Sequence, residues 1–175
     1  VMVVAGWWIA SRLTHSLERL TAYAQAVRDG KAAEPPASKA AEIAAVGAFT
    51  HGGQICMSSA RIMVEAPNGR AFAEALAKKA ASLHLGDLRD EKTAYGPLIN
   101  QRAVDKVLRH VQAAKNGGAE ILTGGAMHNG LVFQPTVIYN PPMSGPCWDE
   151  ETFGPVAMVM EVPSFEEMIA IANES

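Results

Sequence analysis

The spacing of hydrophobic and polar positions changes several times along the chain, and each change marks an element. Val1 to Ala10 (VMVVAGWWIA) is an unbroken apolar run. A membrane helix needs about twenty such residues, so this run cannot span alone. Trp7 and Trp8, followed by Arg12, have the character of the interfacial end of a membrane helix. A buried element of a soluble fold is the alternative reading, and both stay open. From Leu13 the period is helical. Leu13, Leu17, Leu20, Ala24 and Val27 recur at alternating steps of four and three, a narrow seam of coiled-coil type. Asp29-Gly30 stops that helix, and Pro35-Pro36 makes an extended connector. A second apolar helix starts near Ala40 and runs through Ile43 and Val46.

Beyond residue 60 the period switches repeatedly between two and 3.6. Arg61 to Glu65 reads as a strand. Ala71 to Leu83 reads as a helix with Phe72, Leu76 and Leu83 inward and Lys78 and Lys79 outward. Gln101 to Lys115 is a second helix, with Val104, Val107, Leu108 and Val111 on one face. Asn116-Gly117-Gly118 is its stop. Glu120 to Thr123 and Leu131 to Tyr139 read as strands, the latter closed by Pro141-Pro142. Ala157 to Val162 is a buried strand, and Ser164-x-x-Glu167 is a capping box opening the last helix. Strands alternating with helices predict an α/β fold with a mostly parallel sheet.

Composition narrows the possibilities. A chain of 175 residues, 49% hydrophobic, can bury one core and carry a small appendage. Its net charge of −3 argues against a nucleic-acid partner, which needs a basic face. Two cysteines, Cys56 and Cys147, permit at most one disulfide in a chain too large to need one. Reduced thiols in the cytoplasm are expected. The first residues show neither a basic leading region nor a small-residue cleavage pattern. The histidines His15, His84, His110 and His128 are scattered without metal-ligand spacing, so no metal site is expected.

The candidate chemistry lies in Phe49-Thr50-His51-Gly52-Gly53-Gln54-Ile55-Cys56. Two glycines permit a sharp turn and a close approach of substrate to backbone. A cysteine on such a turn aims its sulfur and its own N–H at one point. That geometry suits attack on a carbonyl, with the N–H holding the resulting oxyanion. The bland reading of a lone cysteine is a small buried hydrophobe. His51 stands close before Cys56, but the loop is expected to turn the two side chains apart.

Phe-x-x-x-Gly-Gln-x-Cys resembles the active-site cysteine signature of the aldehyde dehydrogenase superfamily. Glu150-Glu151-Thr152-Phe153-Gly154-Pro155-Val156 resembles that family's cofactor-contacting Glu-x-Phe-Gly-Pro segment. Tyr95-Gly96-Pro97-Leu98-Ile99, Thr123-Gly124-Gly125 and Gln134-Pro135-Thr136-Val137 stand between them in the family's order. The resemblance runs from about Phe49 to Ser175. It implies NAD- or NADP-dependent oxidation of an aldehyde to an acid in a homo-oligomeric enzyme. Cys56 is then the thiolate nucleophile, forming a thiohemiacetal and then a thioester. Glu151 is implied to hold the nicotinamide ribose, Phe153 to pack near the nicotinamide ring, and Glu150 to be a neighbour without a direct role. Cys147 has no role in that family's pattern and, lying close before the second motif, is expected to be a loop thiol near the cofactor cleft. Gln-Ile-Cys-Met-Ser is similar to the form found in members acting on aromatic aldehydes.

The resemblance also implies parts that these residues do not show. The family's Gly-rich turn, phosphate-contacting lysine and oxyanion-holding asparagine belong to an upstream Rossmann-like domain. Its general-base glutamate stands in a Glu-Leu-Gly-Gly-like stretch roughly thirty residues before the nucleophile. Tyr23 to Gly30 occupies that place here, and Glu18, Glu34 and Glu42 lie in no such motif. Little turnover by the chain alone is expected. Helix, connector and helix over about Ser11 to Gly47 resemble instead a HAMP linker of bacterial sensor kinases and chemoreceptors. That resemblance implies a dimeric relay on the cytoplasmic face of a membrane. The expected division is therefore 1–10 as a membrane-helix end, 11–47 as the HAMP-like unit and 48–175 as the aldehyde dehydrogenase fragment. Ala-Glu-Ile-Ala-Ala-Val fits the second HAMP helix and equally a helix leading into the cysteine loop.

Overall fold

A run of apolar residues with no polar alternation suits a strand covered on both faces. Val156–Val162 is such a run, and it becomes the central strand, buried except at Glu161. The computed structural model describes residues 37–174. In chain order these form α1 (Ala37–Phe49), a 3-10 turn (Thr50–Gly53), β1 (Arg61–Glu65), α2 (Gly69–Ala81) and α3 (Gln101–Asn116). There follow β2 (Glu120–Thr123), β3 (Met127–Asn129), β4 (Val132–Phe133), β5 (Thr136–Tyr139), α4 (Pro146–Asp149), β6 (Val156–Val162) and α5 (Phe165–Asn173). The readings of 1–10, of the Leu13 to Val27 seam and of the Pro35-Pro36 connector lie outside the described residues. Among the described residues, no helix is long and apolar enough to cross a membrane.

The main sheet has the order β1-β6-β5-β2. β1 and β5 both pair with β6 in parallel, Arg61 opposite Met158 and Thr136 opposite Val156. β2 adds an antiparallel edge, Glu120 opposite Tyr139. Side chains alternate across the sheet. Ala157, Val159 and Val137 face a core shared with Ala41, Ala45, Ala48, Phe49, Phe72 and Leu76 of α1 and α2. Val156, Met158 and Ile138 face a second core with Val104, Val107, Val111 and Ala114 of α3. The expected α/β fold with a mostly parallel sheet is thus the observed one.

Three expectations need correction. Leu131 to Tyr139 is not one strand. Pro135 has no N–H to give a ladder, so β4 pairs with β3 in a separate ribbon while β5 joins the main sheet. Leu108 lies at the edge of α3, 37% exposed, because the inward phase falls on Val107, His110 and Val111. Leu83 lies past the end of α2, half-buried against the first core, where the Ser82 hydroxyl donates to the Lys79 carbonyl at 2.7 Å. The starts of α3 and α5 follow their capping residues. The Asn100 side chain accepts from the Ala103 N–H at 2.9 Å, and Ser164 accepts from that of Glu167 at 3.3 Å.

Of the two readings of Ala-Glu-Ile-Ala-Ala-Val, the helix leading into the cysteine loop is the one seen. α1 packs on α2 through small residues, Ala41, Ala45 and Ala48 against Ala73, Leu76, Ala77 and Ala80. Ile43 and Val46 face outward. Leu76 is fully buried where α2 meets this core. Leu76→Ala is expected to cost about 2–5 kcal/mol of stability, read as a lowered urea midpoint with an unchanged slope.

Candidate active site

Two segments come together because they enter adjacent parallel strands from the same side. The Cys56 loop leads into β1, and Glu150 to Pro155 leads into β6. The strands are already tied at this end, the Met158 N–H donating to the Ala60 carbonyl at 2.8 Å.

The loop departs from α1 through three successive left-handed residues, His51 (φ 54°), Gly52 (φ 64°) and Gly53 (φ 69°). Both glycines are buried, Gly52 over the Tyr95 ring. The Tyr95 hydroxyl donates to the Phe133 carbonyl at 2.8 Å, and burial pushes its pKa up, so this support stays protonated. The Gln54 Oε1 accepts from the Ile99 N–H at 2.9 Å, pinning the Tyr95 to Ile99 stretch against the loop. A turn closed by the Ser58 N–H on the Ile55 carbonyl, at 3.0 Å, holds Cys56 and Met57 at its exposed tip. Past the turn, the Ser59 N–H donates back to the Gly47 carbonyl at 3.1 Å and the Ser58 hydroxyl to that of Ala48 at 3.3 Å. Cys56 therefore projects from a turn tied at both feet to α1. His51 is also exposed, its left-handed backbone setting its direction.

A Cβ on Gly53 would overlap the Gly154 carbonyl oxygen. The loop and the second segment thus touch backbone to backbone, immediately after Phe153. Phe153 itself is left-handed, φ 49°, and 40% exposed. An aromatic residue in that region costs on the order of 1–2 kcal/mol and persists only where its surroundings over-determine it. Its neighbours supply that constraint. Thr152 is buried with its Oγ1 3.0 Å from the His110 Nδ1, and Gly154 fits so closely under Val107 that no side chain could replace its hydrogen.

Glu151 is exposed and lines a cavity of about 400 Å³ with Ser58, Ser59, Arg61, Trp148 and Thr152. Phe153 lines a second cavity of about 590 Å³ with His51, Gln54, Leu88, Tyr95 and Ile99. Cys56 lies between the two lining sets along the chain. An acceptor-only carboxylate on one cavity and an exposed ring on the other suit a ligand with hydroxyls and a flat heterocycle. Among the described residues, no group of His, Cys, Asp and Glu is placed to hold a metal ion.

Two features went unread in the sequence. Glu150 has a structural partner: Arg109 grips it with two hydrogen bonds, 2.8 and 2.7 Å, which hold its pKa at about 2. His110 is buried in the apolar stripe of α3, in phase with Val104, Val107, Val111 and Ala114, and that phase was its available signal. Cys147 is not a loop thiol. Gly145 turns the chain, Pro146 starts α4, and Cys147 is buried within it beside the smaller cavity.

The model of the aldehyde dehydrogenase family matches residues 33–175. The chain belongs to this family. The match begins ahead of Phe49 and takes in α1 with the two site segments. Glutarate-semialdehyde dehydrogenase of Pseudomonas putida is 38% identical over 137 residues, covering 78% of this chain and 28% of that protein. Mitochondrial succinate-semialdehyde dehydrogenase of Rattus norvegicus is 43% identical over 131 residues, covering 71% and 24%. The crystal structure of betaine aldehyde dehydrogenase from Staphylococcus aureus in complex with NAD+ superposes with a TM-score of 0.73 at 34% identity. That match covers 78% of this chain and 28% of the other. The chain thus spans about a quarter of the length of the curated aldehyde dehydrogenases it matches.

The backbone contact can be separated from the conformational demand of a left-handed glycine. Gly118 has φ 93° with open space around it, whereas Gly53 abuts Gly154. Gly118→Ala is expected to cost about 1 kcal/mol and Gly53→Ala about 3 kcal/mol, compared by urea unfolding. The buried Cys147 thiol has its pKa pushed up by burial, so the folded state keeps a proton the unfolded chain has lost. Its contribution is full below the ordinary thiol range and falls as pH rises through the raised value. Urea midpoints at neutral and alkaline pH are expected to converge for Cys147→Ala relative to the parent chain.

Proposed function

We propose that Cys56 is the nucleophile of an NAD- or NADP-dependent aldehyde oxidation, with Glu151 and Phe153 on the cofactor side. The observation that carries this is the backbone contact of Gly53 with Gly154, which seats the cysteine loop against the Glu151 to Phe153 segment. In this reading the Cys56 sulfur, as thiolate, forms a bond to the aldehyde carbon, and the carbonyl oxygen takes the negative charge. The exposed turn lets the carbonyl reach both the sulfur and the Cys56 N–H. A bound nicotinamide dinucleotide supplies the hydride acceptor. Loss of hydride leaves a thioester on Cys56, and water releases the acid and restores the thiol. Glu151 would accept a hydroxyl hydrogen from the ribose of that cofactor, and the Phe153 ring would stand near its nicotinamide. Family membership, the NAD+ complex among its solved relatives and the semialdehyde dehydrogenases among its curated ones support the reading. A reduced cytoplasmic setting and a homo-oligomeric assembly belong to the same proposal.

The relay reading of 11–47 is a second proposal, carried by the Leu13, Leu17 and Leu20 seam. Within that unit, 37–47 packs through Ala41 and Ala45 into the α/β core and the family match begins at residue 33, so the relay reading retains 11–32.

An aryl ester such as p-nitrophenyl acetate delivers an acyl group to a reactive thiol without needing a cofactor. The expected result is one acetyl group on the peptide holding Cys56, lost in Cys56→Ser and absent from Cys147. With NAD+ and an aldehyde the chain alone is expected to give no sustained NADH. Labelling of Cys147 in place of Cys56, or none at either, would overturn the assignment.

A further inference from the structure

His110 is a polar residue where the helix presents its apolar face, and it is 1% exposed. A buried imidazole requires a partner at each ring nitrogen. Its Nε2 lies 3.4 Å from the Glu150 Oε2, on a carboxylate kept ionised by Arg109 and therefore able only to accept. Nε2 must then carry the hydrogen, which leaves Nδ1 as an acceptor. The Thr152 hydroxyl, 3.0 Å away and buried, donates to it. Thr152 stands between Glu151 and Phe153, and Phe153 is left-handed. The same helix holds the other side of Phe153, since Val107 closes over Gly154.

We propose that His110 is a positioning residue for Glu151 and Phe153, acting through the Thr152 hydroxyl and reversing that hydrogen bond when protonated. The inference builds on the active-site reading of those two residues. A proton added to Nδ1 turns an acceptor into a donor, so the Thr152 hydroxyl must rotate and accept. The contact survives with its direction reversed, and the Thr152 hydrogen must find another acceptor in a buried site, which is what disturbs the segment. The charged and titratable groups around the ring are Glu150 on the segment and Arg109 and Lys106 on α3. The short helix α4, which packs against α3, carries the buried Cys147 thiol. Burial pushes the His110 pKa below the ordinary histidine range, Glu150 opposes that shift, and the two cations reinforce it. The Thr152 hydroxyl therefore donates to His110 at neutral pH and accepts from it only once the ring is protonated, below the ordinary histidine range.

The test is nuclear magnetic resonance on the whole 175-residue chain, reading the His110 ring nitrogens and the amides of residues 151–154. Expected are an Nε2–H tautomer at neutral pH and Glu151 and Phe153 amide shifts that titrate with the His110 midpoint. Thr152→Val should raise amide exchange across 151–154 by about tenfold, and Thr152→Ser should restore it to within about twofold. An Nδ1–H tautomer would overturn the inference. So would Glu151 and Phe153 amides indifferent both to His110 protonation and to Thr152→Val. Should Thr152→Val not fold, the titration of the parent chain and the Thr152→Ser exchange still decide. Aryl-ester labelling of the same samples separates the two readings. Unlabelled Cys56 with the titration intact overturns the proposed function, whereas labelled Cys56 with no such coupling overturns the positioning role.

Discussion

Parallel pairing of β1 with β6 is the constraint on which the rest depends. Two strands that run side by side in the same direction receive their incoming chains at the same edge. The cysteine loop and the Glu151 to Phe153 segment, about a hundred residues apart in sequence, therefore meet without any contact between their side chains being required. Antiparallel pairing would send the two entrances to opposite ends of the sheet. The helices on both faces serve this arrangement by covering a central strand that is apolar on both sides.

Around that meeting point the backbone holds several conformations it would not choose by itself. His51, Gly52, Gly53 and Phe153 are all left-handed. Three of them are fixed by something rigid: the Tyr95 ring beneath Gly52, the Gly154 carbonyl against Gly53, and α3 on either side of Phe153. Among the described residues, two of the three non-glycine residues at positive φ, His51 and Phe153, stand in these two segments, the third being Asn140 past the end of β5.

Much of this was legible in the residues. The β6 run, the α3 stripe and the caps at Asn100 and Ser164 have local causes, so local reading finds them. The split at Pro135 was legible in principle, because the missing N–H is a property of that residue, but the long apolar run on either side masked it. The left-handed Phe153 has no local signature. Nothing in an aromatic residue announces positive φ, and what imposes it comes from a helix more than forty residues earlier. The partnership of Glu150 with Arg109 and of Thr152 with His110 is likewise tertiary. Sequence shows only that a histidine falls in phase with valines. The glycines were recognised as a turn, yet that Gly53 faces Gly154 across two motifs follows from the sheet alone.

The alanine stripe of α1 carries a consequence of its own. Helices that meet through methyl groups sit close together and leave no slack, since a methyl offers no rotamer to absorb a disturbance. The turn bearing Cys56 is tied at Gly47 and Ala48, at the end of that same helix. α1 thus behaves as a lever whose fulcrum is the contact with α2. A single added carbon at Ala41 or Ala45 would tilt the far end and carry the sulfur with it. Drift in this alanine register is a route by which relatives could re-aim the side chain at the position of Cys56 without altering a residue of either site segment.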